Sequence, residues 1–308
     1  MLILKTINRG EDNNGQLGTN SGVNQFTPKK VEALAGEVIV DVVCGESHTL
    51  AVTSTGSIFT WGEDIETGHG EAVSVLKPKL LQGLSSKGVI CVSANESHMA
   101  CVTKAGEVFT WGYGSYGSLG HGNKTDQQTP KRVEALVGVK VTMVSCGCSH
   151  TAVCTEDGHV YTFGWGKNGQ LGHGLKENRS SPVLVNALKG KHITQVQCGD
   201  EHTMALTSSG YVFTWGYAYA HNGFLGHHGN VERQFLSIPC LVEGLRDHNV
   251  VQLTSGCGHC AVLVDPANPS IIRESQQASF NNKQHSDVVF KVENEPLYAN
   301  VGVLTQKS

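Results

Sequence analysis

The 308-residue chain is poor in aromatic residues (6%), charged residues (16%), proline (8) and methionine (4). Several absences exclude whole classes of protein. A net charge of −4 and a pI near 6.4 leave no broadly basic surface of the kind that binds nucleic acid nonspecifically, so no direct nucleic-acid contact is expected. No apolar run approaches the ~20 residues of a membrane-spanning helix. Met1 to Ile7 is too short for a signal-peptide core and is followed by no cleavage-type segment. The expected location is therefore intracellular, cytoplasmic and/or nuclear. Apolar stripes of helical period are missing as well, which removes a helical bundle from consideration.

Plentiful instead are glycine (37), histidine (15) and cysteine (10), and they recur in register. The segment Cys-Gly-Glu-Ser-His-Thr that begins at Cys44 returns at Ala94, Cys146 and Cys198 and, degraded, at Ser255. His48, His98, His150, His202 and His259 are separated by 50, 52, 52 and 57 residues, and Pro28, Pro78, Pro130, Pro182 and Pro239 by the same intervals. Trp61, Trp111, Phe163 and Trp215 repeat the first three, and counting back places Arg9 at the same position, in mid-repeat. Repetition on this scale means one supersecondary unit copied around or along an axis.

Each period carries strand signals. Val38 to Val43 is β-branched, His48 to Thr53 alternates, and Ser57 to Trp61 is a short apolar run. Thr55-Gly56, Ala105-Gly106, Asp157-Gly158 and Ser209-Gly210 mark tight hairpins, because glycine accepts the positive φ such turns need. The run Pro130 to Leu136, with its equivalents, reads as a further strand that starts at proline, where no ladder donor is lost. Four short antiparallel strands per ~50 residues describe a propeller blade, so the fold class is all-β.

Taken together, Pro-x-x-Val-x-x-Leu, Cys-Gly-x-x-His-Thr, Phe-Thr-Trp-Gly and Gly-Gln-Leu-Gly-His-Gly resemble the regulator-of-chromosome-condensation repeat, the unit of seven-bladed propellers. The resemblance covers residues 1–264. The chain departs from it at Arg9 and Phe163, at Ala94-Asn95 and Ser255-Gly256, and after Trp61, where the loop is two residues short. About five blades are present, whereas seven of this size need roughly 360 residues. Two arrangements fit the count: an open arc from a longer polypeptide, or a five-blade ring in which Lys5 to Asn8 completes the blade begun by Pro239 to Val264.

The repeat stops after Val264. Residues 265–285 read as a polar linker, and 286–308 resume with Ser286-Asp287-Val288-Val289-Phe290-Lys291-Val292, then Leu297-Tyr298-Ala299-Asn300 and Val303-Leu304. This resembles the opening of a BTB domain, with Asn300 in place of the usual His. It favours the longer-polypeptide arrangement. The resemblance implies that BTB dimerisation and cullin contact would follow only with the full domain.

The remaining motifs are read as structural. Cys44, Cys146 and Cys198 occupy one repeat position, which implies buried, unreactive thiols near the propeller axis. Along one unbroken strand Cys146, Cys148, His150 and Cys154 would share a face compatible with zinc, but the repeat accounts for Cys146 and His150 without a metal. Five histidines at one position imply the same hydrogen bond in every blade rather than one catalytic base, and His121, His173 and His227 follow suit. Gly112-Tyr113-Gly114-Ser115-Tyr116-Gly117 and Gly164-Trp165-Gly166-Lys167-Asn168-Gly169 imitate a nucleotide fingerprint without the helix that mechanism needs. No catalytic residue, metal or cofactor is expected.

Function is sought where repeats differ on a shared surface. Two residues past the Trp position stand Glu63, Tyr113, Trp165 and Tyr217, and the fourth loop is longer, reading Tyr217 to Phe224. The expected partner-binding rim is Tyr113, Trp165, Tyr217, Tyr219, His221 and Phe224, with packing against the neighbouring blade as the competing role. Together with the two resemblances this points to a non-catalytic protein-interaction module, the target-binding propeller of a BTB-type cullin ubiquitin ligase adaptor. The alternatives are an exchange factor or regulator for a Ran-like small GTPase, and a cytoskeletal or membrane-associated scaffold.

Overall fold

The repeating strand signals fold as repeating sheets. The computed structural model describes residues 7–70, 73–217, 225–227, 235–265, 288–292 and 295–299. Strands β1 (Ile7–Gly10) and β2 (Gln25–Lys30) form an antiparallel pair, half-blade A. Blade B is β3 (Ile39–Cys44), β4 (His48–Thr53), β5 (Ile58–Gly62) and β6 (Val75–Leu80), hydrogen-bonded in chain order. Blade C repeats this with β7 (Val89–Ala94), β8 (His98–Thr103), β9 (Val108–Gly112) and β10 (Gln127–Arg132). Blade D is β11 (Val141–Cys146), β12 (His150–Thr155), β13 (Val160–Gly164) and β14 (Arg179–Leu184). Blade E is β15 (Ile193–Cys198), β16 (His202–Thr207), β17 (Val212–Tyr217) and β18 (Phe235–Leu241). Half-blade F is β19 (Val250–Ser255) with β20 (Cys260–Val264).

Four complete blades flanked by two half-blades match the expected count of about five. Among the described residues β1 pairs with β2 and β20 with β19, and Pro239 lies in β18 of blade E. The five-blade ring drawn from the sequence is therefore not the arrangement seen. A separate hairpin, β21 (Val288–Val292) and β22 (Glu295–Ala299), starts two residues into the strand expected from Ser286. The remainder of the two C-terminal segments, apart from Asp265, lies outside the described residues.

The core lies between blades. The second strand of every complete blade is buried along all six residues, facing a sheet on each side. Leu50 and Val52 pack forward against Met99, Cys101 and Trp111 of blade C, while Ala51 packs back against Val31 and Leu34, the alternation a pleated strand imposes. Trp61, Trp111, Phe163 and Trp215 are fully buried at successive seams.

Three expectations are corrected. The Pro-x-x-Val-x-x-Leu run is not one strand: β10 ends at Arg132, and Glu134–Leu136 forms a single 3-10 turn that buries Leu136. Pro130 stands inside β10, tolerated because β10 is the outermost strand of its sheet. Cys44 is exposed although Cys146 and Cys198 are buried, because half-blade A places no inner hairpin over it. Cys146 and His150 lie on consecutive strands joined by a hairpin, so they do not share the face of one strand. Among the described residues no helix is long and apolar enough to cross a membrane.

Candidate protein-interaction face

Strand order puts the turn between the first and second strands at the same end of each blade as the loop after the third. The two are tied by backbone bonds in every complete blade. Glu63 N–H donates to Ser47 O (2.9 Å), Tyr113 to Ser97 (3.0 Å), Trp165 to Ser149 (2.8 Å) and Tyr217 to Glu201 (2.9 Å). The inner turn must be tight, and Gly147 shows why glycine holds it: a Cβ there would sit 2.2 Å from Cε1 of His150.

The recurrent histidines latch one blade to the next. His98 Nε2 lies 2.8 Å from Thr151 Oγ1, and His150 Nε2 lies 2.9 Å from Thr203 Oγ1. Each threonine hydroxyl donates its proton to a loop carbonyl, Thr151 to Ser118 O and Thr203 to Gln170 O, both at 2.8 Å. Only a lone pair is then left for the histidine, so Nε2 carries the hydrogen. Trp215 Nε1 donates to the same Gln170 O (2.8 Å), as Trp61 does to Gln16 O (2.8 Å). The second histidine set is equally structural. His121, His173 and His227 each meet a strand threonine, Thr110, Thr162 and Thr214, at 3.0 Å.

Burial pushes His98 and His202 down to about 4 and His150 down to about 3, so none is a base poised near neutrality. His202 Nε2 also lies 3.1 Å from Cys260 Sγ, which outwardly resembles a nucleophile with its base. Burial raises that thiol to about 12 while the histidine stays neutral, and the pair is inert. Cys148 Sγ meets Glu96 Oε2 (2.6 Å) and Cys154 Sγ meets Ile193 O (3.1 Å), so the cysteines that one unbroken strand would align for zinc have separate partners. Among the described residues no three His, Cys, Asp or Glu side chains converge as a metal site.

The aromatic loops remain. Tyr113 is 36% exposed, and Trp165 is half-buried with its ring 5.8 Å from that of Tyr116, which belongs to the preceding blade's loop. Tyr116 is 46% exposed and holds φ +59°, a conformation strained for a bulky residue. Sequence reasoning passed over it, although it stands three residues after Tyr113 in the same loop. Tyr217 stacks on Phe235 at 6.2 Å, and Lys176 Nζ lies 2.9 Å from the Phe235 ring centroid. Trp165 thus packs across a seam and Tyr217 within its own blade, and both residues are half-buried. Tyr219, His221 and Phe224 lie outside the described residues. Side-chain caps fix the loops: Asp126 Oδ1 accepts from Gly114 N–H (2.7 Å) and Asn178 Oδ1 from Gly166 N–H (3.0 Å).

Antiparallel four-stranded blades arranged around an axis define a β-propeller repeat protein, and the seams above are its repeating joint. The chain belongs to the regulator of chromosome condensation (RCC1) repeat family, whose model matches residues 9–52, 105–154, 157–206 and 209–263. A second model of that description matches 141–170 and 193–221. The chain is 37% identical over 256 residues to the ultraviolet-B receptor UVR8 of Arabidopsis thaliana, covering 82% of this chain and 57% of the receptor. To the human E3 ubiquitin-protein ligase HERC2 it is 37% identical over 263 residues, covering 85% of this chain and only 4% of the ligase. Human WBSCR16 superposes with a TM-score of 0.73 at 25% identity, over 84% of this chain and 67% of that one. Yeast RCC1 (Prp20), solved bound to Kap60, gives 0.67 at 21% identity over 85% and 61%, a likeness of fold alone.

Proposed function

We propose that this chain is a non-catalytic protein-recognition propeller whose partner face is the end of the blades carrying Tyr113, Tyr116, Trp165 and Tyr217. The observation that carries this reading is the row of aromatic loops on blades C, D and E, each hydrogen-bonded to its own inner turn and partly open at the surface. Rings held in this way lose little freedom on binding, and aromatic side chains dominate interface energetics when they are desolvated together. RCC1-repeat propellers are in general interaction modules, and the inert state of the buried histidines and of the Cys260 thiol agrees with that role here.

The finer role is target selection for a BTB-type cullin ubiquitin ligase. It is supported by the succession of propeller repeats and the BTB-like motif Ser286 to Val292. A cytoplasmic and/or nuclear location goes with that role. Changing Trp165 and Tyr217 together to Ala, in protein whose melting temperature is unchanged, should abolish capture of the proteins that the parent chain retains and mass spectrometry identifies. An identical captured set would overturn the assignment of this face. Accelerated GDP release from a Ran-type GTPase would replace adaptor function with nucleotide exchange.

A further inference from the structure

Tyr116 and Trp165 form a ring pair across the seam between blades C and D, with centroids 5.8 Å apart and planes inclined by 31°. We propose that this pair receives a cationic side chain, a lysine or arginine of the protein partner, an inference that rests on the partner face assigned above.

The pair is held against the backbone's own preference. Tyr116 takes φ +59° and ψ 3°, in the left-handed region that disfavours a bulky residue. Its repeat equivalents are Asn14 and Asn168, a residue type that tolerates that region, yet neither adopts it. Such strain persists only where the surroundings over-determine it, and here it sets a 46% exposed ring against Trp165. Burial does not account for it. Trp61, Trp111 and Trp215 are fully buried, whereas Trp165 is half-buried.

Other rings of this chain hold cations. Lys87 Nζ lies 4.9 Å from the Phe109 centroid and Lys191 Nζ 4.8 Å from that of Phe213. Lys176 Nζ lies 2.9 Å from the centroid of Phe235, which stacks on Tyr217. Among the described residues no lysine or arginine is seated on Tyr116 or Trp165, although indole is the strongest of the cation-binding rings.

The surrounding charge has the matching sign. The inner turns, residues 44–48, 94–98, 146–150, 198–202 and 255–259, contain Glu46, Glu96, Asp200 and Glu201 and no lysine or arginine. Glu96 Oε2 accepts from Cys148 Sγ (2.6 Å), next to the Ser149 carbonyl that holds Trp165 N–H (2.8 Å). Glu201 is hydrogen-bonded to Asn168, three residues after Trp165 in the same loop. Burial raises the Asp200 and Glu201 carboxyls, and Glu96 raises both further as a like charge. Among the described residues none of these three carboxylates is ion-paired with a lysine or arginine. An arriving cation therefore meets open ring surface and unneutralised acid together.

Three of the four tryptophans are fully buried, so Trp165 alone reports on this surface. In the full chain labelled with fluorotryptophan, octa-arginine should saturably shift the fluorine resonance that Trp165→Phe removes, and octa-glutamate should not. Tyr116→Gly relieves the left-handed backbone and deletes one ring. It should weaken octa-arginine binding about fivefold or more without lowering the melting temperature, and Tyr116→Phe should retain the binding. An unmoved Trp165 resonance, or equal binding of octa-glutamate, would overturn the proposal. Undiminished binding by Tyr116→Gly would overturn it too, because attraction to the acidic turns alone gives that result. If the Trp165→Ala, Tyr217→Ala double change abolishes partner capture while the resonance stays unmoved, the face stands and only its cationic partner is refuted. A shifted resonance with an identical captured set would instead remove the face, and the partner's side chain with it.

Discussion

The seam between blades D and E and the seam between blades B and C solve one packing problem in two ways. At D–E the loop carbonyl of Gln170 receives both Trp215 Nε1–H and the Thr203 hydroxyl, and His150 latches onto that hydroxyl. At B–C the threonine position is Met99, which can accept no latch, and the Gln170 position is Glu66. His48 therefore turns its other nitrogen to the carboxylate, Nδ1 to Glu66 Oε2 at 2.6 Å with both side chains buried, and Trp111 alone donates to Glu66 O (3.0 Å). A repeat position is thus held by a small network rather than by one residue type. Loss of a hydroxyl on one strand is answered by a carboxylate on a loop of the facing blade. The stretch 53–104, which contains both departures, is also the interior stretch left between the first two repeat matches.

Acid should have the strongest effect, acting on the buried histidines that latch one blade to the next. His98, His150 and His202 are held neutral by burial, with values depressed to about 4, 3 and 4 against an unfolded value near 6.5. The unfolded chain then binds more protons below about pH 6.5, so the stability contribution present above that pH is lost as pH falls toward 4. Between pH 7.5 and 5.0 each histidine should cost about 2 kcal/mol, read from denaturant midpoints at the two pH values. Replacing His150 with Gln should flatten that slope.

Trp111→Ala removes a fully buried ring from the B–C seam and should cost about 3 to 5 kcal/mol in urea melts. A cost below about 1 kcal/mol would mean that the seam is not where this chain's stability lies. A smaller change tests whether the two seam types interconvert. Glu66→Gln and Met99→Thr each introduce the residue found at D–E, and each alone should destabilise. Together they should be less destabilising than their sum by about 1 kcal/mol or more, because the pair rebuilds a hydroxyl latch. Strict additivity would show that the two positions are not coupled. Smallest of all, Tyr113→Ala on the aromatic rim should shift stability by less than about 0.5 kcal/mol while weakening partner capture.

Much of this is legible in the amino-acid sequence alone. The spacing of His48, His98, His150 and His202 located every second strand to within a residue, because a blade is built from local hairpins whose turns are written as X-Gly pairs. The sequence also identified the histidines as structural, although not their acceptors. Thr151 and Thr203 lie 53 residues from the histidines they hold, and no local pattern joins residues at that distance. Tyr116 was missed for a related reason: its importance comes from a ring on the next blade.

Periodicity in the chain, by itself, determined the unit, its strand order and the number of copies, since hairpin formation depends on residues within a few positions of one another. Only the tertiary structure decided which copy of each repeated residue is sealed and which is open. Cys146 and Cys198 are buried while Cys44 is exposed, and His202 is buried while His259 is not, although each shares its local sequence role with the others. Burial belongs to the neighbouring blade and not to the residue. Equivalent side chains therefore differ wherever the described neighbour is only half a sheet.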